Sequence, residues 1–237
     1  MTHSHALVAS GLAKSFTMHL RGGIELPVIS GADFVLTSGQ CAVLGGPSGA
    51  GKSSILKMLY GNYAVNAGSI VVRHRGKEID MASASPRKIL EIRRETIGYV
   101  SQFLRVMPRI SALDVVAEPL VFSGANREAA ARRAAELLQR LNLPERLWAL
   151  PPATFSGGEQ QRINIARGFI TDHSILLLDE PTASLDAANR AVVLQMIAEK
   201  KAAGTALLGI FHDDDVRVAV ADMVIDVTGF APDRKAA

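Results

Sequence analysis

Short apolar runs bounded by glycine, serine or acidic residues alternate along the chain with stretches of helical spacing. Leu7-Val8-Ala9, Val28-Ile29 and Phe34-Val35-Leu36 are separated by turns and predict an antiparallel strand layer, ending in the turn Thr37-Ser38-Gly39-Gln40. Cys41-Ala42-Val43-Leu44 is apolar throughout, as a buried parallel strand requires. Ser54-Ile55-Leu56-Lys57-Met58-Leu59 has helical spacing. After it, Ser69-Ile70-Val71-Val72 and residues 73–79 predict a hairpin. Residues 104–150 are rich in Ala, Leu, Arg and Glu, and Arg127 to Leu141 read as a helix with Leu137, Leu138 and Leu141 on one face and Asn126 as its cap. A further helix is expected from Asp186 to Ala203, stopped by Gly204, and then a buried strand from Thr205 to Phe211.

Composition narrows the class. A chain of 237 residues suits one large α/β domain spanning 1–237, and 48% hydrophobic content supplies a full core without a metal or disulfide staple. Cys41, the single cysteine, can form no internal disulfide, which fits a reducing compartment and a small core residue. No apolar run approaches the ~18 residues of a membrane-spanning helix. Met1-Thr2-His3-Ser4-His5 lacks the regions of a signal peptide, so a cytoplasmic location is expected, with any membrane contact made through a partner. A net charge of +3, from 26 basic and 23 acidic side chains, is too balanced to argue for nucleic-acid or lipid-surface binding. The Pro- and Ala-rich tail, 231–237, is expected to be disordered.

Candidate chemistry begins at Gly46-Pro47-Ser48-Gly49-Ala50-Gly51-Lys52-Ser53, which follows the Cys41–Leu44 strand and runs into a helix at Ser54. Successive backbone N–H groups in such a turn cradle phosphate oxygens, and glycines permit the tight turn and close approach. Lys52 would reach the β- and γ-phosphates, and the Ser53 hydroxyl would meet Mg²⁺. A second string, Ser174-Ile175-Leu176-Leu177-Leu178-Asp179-Glu180, runs an apolar strand into two carboxylates, where ligands of open α/β sheets bind. Asp179 is placed to serve the metal and Glu180 to polarise a water. A third, Phe155-Ser156-Gly157-Gly158-Glu159-Gln160-Gln161-Arg162, opens a polar helix. It reads either as a second anion site, from exposed N–H groups and a helix dipole, or as an ordinary helix start.

Together these residues resemble the ATP-binding-cassette ATPases over most of the chain. The resemblance implies a phosphate-loop parallel-sheet core with an antiparallel layer and a helical subdomain at about 103–168. Gly46 to Ser53, with Ser54, would bind ATP. Gln102 looks like the glutamine that touches Mg²⁺ and the attacking water. Ser156, Gly157, Gly158, Glu159 and Gln160 look like the signature loop that contacts ATP held by a second subunit. Asp179 and Glu180 look like the metal and catalytic carboxylates, and Asp186, in Ser184-Leu185-Asp186, like a further ATP-side residue. His212 is similar to the switch histidine, and Phe16 to the aromatic that stacks on adenine. Three positions depart from the common pattern: Phe155 and Glu159 stand where Leu and Gln are commonest, and Phe16 replaces the usual Tyr. ATP and Mg²⁺ are the implied ligands, and a second cassette, identical or sister, the implied partner.

Four strings resemble one subfamily more closely: Gln102 to Val116, Pro144-Glu145-Arg146-Leu147-Trp148, Thr154 to Ile170 and Ile210-Phe211-His212-Asp213. That subfamily is the PhnL-type ATP-binding subunit of the bacterial phosphonate carbon–phosphorus lyase system. It implies soluble lyase subunits as partners and a role in making ribose 1-phosphonate 5-triphosphate from a phosphonate and ATP. No residue here is recognisable as a glycosyl-transfer group, so the C1 chemistry falls to a partner. The alternative is the ATPase of a lipoprotein-release or macrolide-export transporter, whose cassettes share the SGGEQQR wording. Residues 102–122, where Arg105 and Arg109 interleave with apolar side chains, are the expected docking groove or, equally, a core stretch with two solvated arginines.

Overall fold

The computed structural model describes residues 5–18, 23–104 and 109–232. Strands β1 (His5–Met18) and β2 (Ile24–Thr37) pair antiparallel from His5 opposite Thr37 to Met18 opposite Ile24, with bulges between. The chain then enters β3 (Cys41–Gly45), helix α1 (Lys52–Leu59) and a hairpin, β4 (Ala67–His74) and β5 (Lys77–Asp80). Its two-residue turn, Arg75 at φ 50° and Gly76 at φ 76°, is of the left-handed type that matches strand twist. The hairpin does not stand alone. β4 joins the free edge of β1, giving a four-stranded antiparallel sheet in the order β2-β1-β4-β5.

The rest of the chain alternates helix and strand: α2 (Pro86–Glu95), β6 (Ile97–Val100), α3 (Ala112–Phe122), α4 (Arg127–Arg140), α5 (Gly157–Phe169), β7 (Ile175–Asp179), α6 (Ala187–Ala202), β8 (Ala206–Ile210), α7 (Asp214–Val220) and β9 (Met223–Asp226). Five strands form a parallel sheet in the order β6-β7-β8-β3-β9. Helices α3, α4 and α5 fill the expected helical subdomain between β6 and β7. Asn126 caps α4 as its sequence suggests, accepting from the Glu128 and Ala129 amides. Residues 105–108 of the expected docking stretch and 233–237 of the tail lie outside the described residues.

Two cores sandwich the parallel sheet, and the two-residue period of a strand assigns each side chain to one of them. Cys41, Val43, Val100, Leu176, Leu178 and Leu207 face the helical subdomain. Ala42, Leu44, Ile97, Ile175, Leu177 and Leu208 face α1 and the antiparallel sheet. Both faces are covered, so β3, β7 and β8 read as continuous apolar runs, and each buried Leu contributes about 1.5–3 kcal/mol. The same alternation carries Asp179 and Tyr99 onto the α1 side, in step with Ile175, Leu177 and Ile97. Among the described residues no helix is long and apolar enough to cross a membrane.

Candidate nucleotide site

The phosphate loop leaves β3 at Gly45 and enters α1 at Lys52. Two of its glycines have no substitute. Gly46 sits at φ 129°, where a Cβ would come 2.8 Å from Val227 Cγ2, and Gly51 at φ 94°, where a Cβ would come 2.6 Å from Ile29 Cδ1. Pro47, Ser48 and Gly49 are exposed, while Ala50, Ser53 and Ser54 are half-buried. Gly51 offers α1 no side-chain cap, so the first amides of that helix remain free as anion donors. Lys52 Nζ donates to the carbonyls of Gly46 at 2.7 Å and Pro47 at 2.8 Å, which holds the ammonium over the cradle.

Asp179 ends β7 with only 3% of its surface exposed. Its Oδ1 accepts from Ser53 Oγ at 3.2 Å and its Oδ2 from the Tyr99 hydroxyl at 2.9 Å. Burial pushes this carboxyl above the usual carboxylate range, against the two hydrogen bonds, which lower it. Glu180 turns the other way. Its backbone is left-handed at φ 53°, a strained state for a glutamate, and is held by the Glu180 amide donating to Ile210 O at 3.0 Å. The carboxylate thereby meets Gln102 Nε2 at 3.1 Å and His212 Nε2 at 2.7 Å. Adjacent acids thus serve two places: a buried one beside Ser53 and an accessible one between Gln102 and His212.

Ser53, Asp179 and the Gln102 carbonyl are hard oxygen donors, the set that suits Mg²⁺. A carboxylate buried beside a serine hydroxyl, and raised by that burial, fits a divalent cation. Phe16 is half-buried on β1, edge-on to Tyr63 with centroids 5.2 Å apart and with Lys14 Nζ 5.0 Å from its ring.

Among the described residues no hydrogen bond joins 156–160 to the phosphate loop. Ser156 and Gly157 are exposed at the start of α5. Within this chain the Glu159 carboxylate accepts from the Ser156 amide and hydroxyl, both at 2.8 Å, completing a capping box. Those bonds hold its carboxyl below the usual range. Asp186 is the N-cap of α6, with its carboxylate taken up by the Asn189 amide at 2.8 Å. Gln160 Nε2 is likewise turned inward, to Phe155 O at 3.0 Å.

Sequence reasoning missed three supports. Tyr99 holds Asp179, Gln161 donates to Pro181 O at 3.0 Å, and Asn164 donates to Ser101 O, tying α5 to the segments around Glu180 and Gln102. A tyrosine on the short apolar β6 was the only signal for the first, and nothing local distinguished Gln161 and Asn164 on the polar α5. The expected docking stretch, 102–122, contributes Pro119 and Phe122 to a groove. The groove, of about 470 Å³, lies between the sheet and the helical subdomain, lined by Leu90, Arg93 and Arg94 of α2, Tyr99 of β6, Pro119 and Phe122 of α3 and Arg167 of α5. Leu90 and Phe122 are 62% and 66% exposed. Arg109, expected there, does not line it, and Arg105 lies outside the described residues.

Residues 29–183 match the family described as ABC transporter. The lipoprotein-releasing system ATP-binding protein LolD 2 of Caulobacter vibrioides is 42% identical over 173 residues, 73% of this chain and 74% of that protein. LolD of Idiomarina loihiensis is 35% identical, over 81% of this chain and 82% of its own. An uncharacterized ABC transporter ATP-binding protein of Mycobacterium tuberculosis H37Rv is 35% identical over 87% of this chain, which spans 61% of that relative's length. Among solved structures, the dimeric bacterial ABC transporter cassette MJ0796 superposes with a TM-score of 0.84 at 26% identity, covering 93% of this chain and 94% of the other. The same cassette, in a dimeric post-hydrolysis state bound to ADP and Pi, gives 0.83.

Proposed function

Because the chain belongs to the ABC transporter family of ATPase cassettes, we propose that it hydrolyses ATP as one half of a two-cassette clamp. The observation that carries this is the division of the anion donors. Lys52 and Ser53 stand at the phosphate loop beside Asp179, and Glu180 meets Gln102 and His212, while the exposed Ser156 and Gly157 make no hydrogen bond to that loop among the described residues. A second cassette would supply the missing half to each. The dimeric MJ0796 structures support that arrangement.

In the clamp, α1 and Lys52 would hold the phosphates, and Ser53, Asp179 and Gln102 would hold Mg²⁺, which would supply positive charge to offset that of the phosphates. Glu180 and His212 flank the attacking water. The water adds to the γ-phosphorus, its proton passes to Glu180, and the bond to the β-phosphate oxygen breaks. Closure excludes water and brings the α5 amides to the γ-phosphate. Glu180→Gln keeps the shape and removes the base, so turnover should fall about 10²–10⁴-fold while ATP binding persists. Light scattering should then find an ATP- and Mg²⁺-dependent dimer. A variant that stays monomeric with saturating ATP would overturn the clamp.

The clamp drives a partner seated in the groove beside Tyr99 and Phe122. The relatives support a membrane permease of the lipoprotein-releasing kind. A second reading, the phosphonate carbon–phosphorus lyase system with soluble partner subunits, is favoured by the strings 102–116, 144–148, 154–170 and 210–213. It draws no support from the relatives named above. One deletion separates the two. Mislocalised outer-membrane lipoproteins with normal growth on phosphonate establish the first. Loss of growth on a phosphonate as sole phosphorus source, with lipoproteins in place, establishes the second.

A further inference from the structure

Tyr99 touches both the candidate metal carboxylate and the groove. Its ring lines the groove floor, packed on Tyr60 with centroids 5.0 Å apart. Tyr60 is in turn fixed by Arg93, whose guanidinium lies 4.5 Å from the ring and whose Nε donates to Tyr60 O at 2.7 Å. At its other end the Tyr99 hydroxyl donates to Asp179 Oδ2 at 2.9 Å, while Ser53 holds Oδ1. These two donors divide the carboxylate between them. Ser53 must turn its oxygen to a cation when one binds, and its hold on Oδ1 then changes. Tyr99 stands on the opposite oxygen and has no such second duty.

We propose that Tyr99 is a positioning residue for Mg²⁺: its hydroxyl fixes the rotation of the Asp179 carboxylate from the floor of the groove. This rests on the reading of the chain as an ATP- and Mg²⁺-binding cassette. Residues that orient a metal's ligands typically govern 10–100-fold in metal affinity. The ring, and so the packing on Tyr60, survives in Tyr99→Phe, and only the hydroxyl is lost.

The test is calorimetric titration of ATP into the full chain, first in EDTA and then over a range of Mg²⁺ concentrations. Wild-type protein should bind ATP in EDTA and more tightly with Mg²⁺. Tyr99→Phe should match it in EDTA and need about 10-fold more Mg²⁺ for the same gain. An unchanged Mg²⁺ requirement overturns the proposal and leaves the cassette reading intact. A loss of affinity in EDTA as large as that in Mg²⁺ assigns Tyr99 a purely structural role and overturns it too. Failure of the wild-type chain to bind ATP at all removes the cassette reading and this proposal together.

Discussion

Cys41 lies wholly buried on β3, and that burial pushes its thiol up to about 12, with Lys201 opposing the rise and Asp222 adding to it. The thiolate is the reactive form, so at pH 8 only about one molecule in 10⁴ carries it. Iodoacetamide should therefore label the native chain at the rate of unfolding and label the denatured chain at once. Fast labelling of folded protein would contradict the burial. Glu180 shows the other way a residue is set by its surroundings. Its left-handed backbone separates it from Asp179, so two neighbouring acids take up different work.

At the scale of elements, α5 starts from the exposed Ser156 and approaches β6 closely. A Cβ at Gly168 would lie 2.3 Å from Val100 Cγ2, a branched side chain with little freedom to give way. Alanine favours a helix over glycine by about 1 kcal/mol. Overpacking costs about 1–3 kcal/mol, and here it outweighs the gain. Gly168→Ala should lower the urea midpoint, and a midpoint at or above wild type would show that α5 is free to shift. What the sequence reveals of the elements follows from the same packing. β3, β7 and β8 are legible because both faces are covered, and α4 because Asn126 marks its start. β6 and β9 have four residues each, too few for a period to show, and α2 buries only Ile92. The nucleotide residues are legible as local strings. Tyr99 is not, because its role comes from Asp179, 80 residues away. Glu159 and Asp186 read equally as caps or as phosphate-side residues, because helix caps and phosphate sites draw on the same residue types at helix starts.

On the scale of the whole molecule, the strand that launches the phosphate loop has both its neighbours at the far end of the chain. β3 lies between β8 and β9, and the Cys41 amide donates to Asp222 Oδ2, 181 residues away. The antiparallel sheet closes early, from residues 5–80. β3 cannot follow it. On a ribosome adding roughly 5–20 residues per second, this apolar strand waits about 10–40 s for its partners to be synthesised. Through that interval it is a bare, sticky edge and a natural client for a chaperone. A nascent chain stalled with residues up to 204 outside the ribosome should fail to bind ATP-agarose, and one exposing 232 residues should be retained. The phosphate loop is thus synthesised long before the strands that hold it in place, and the pocket comes into being only when they arrive.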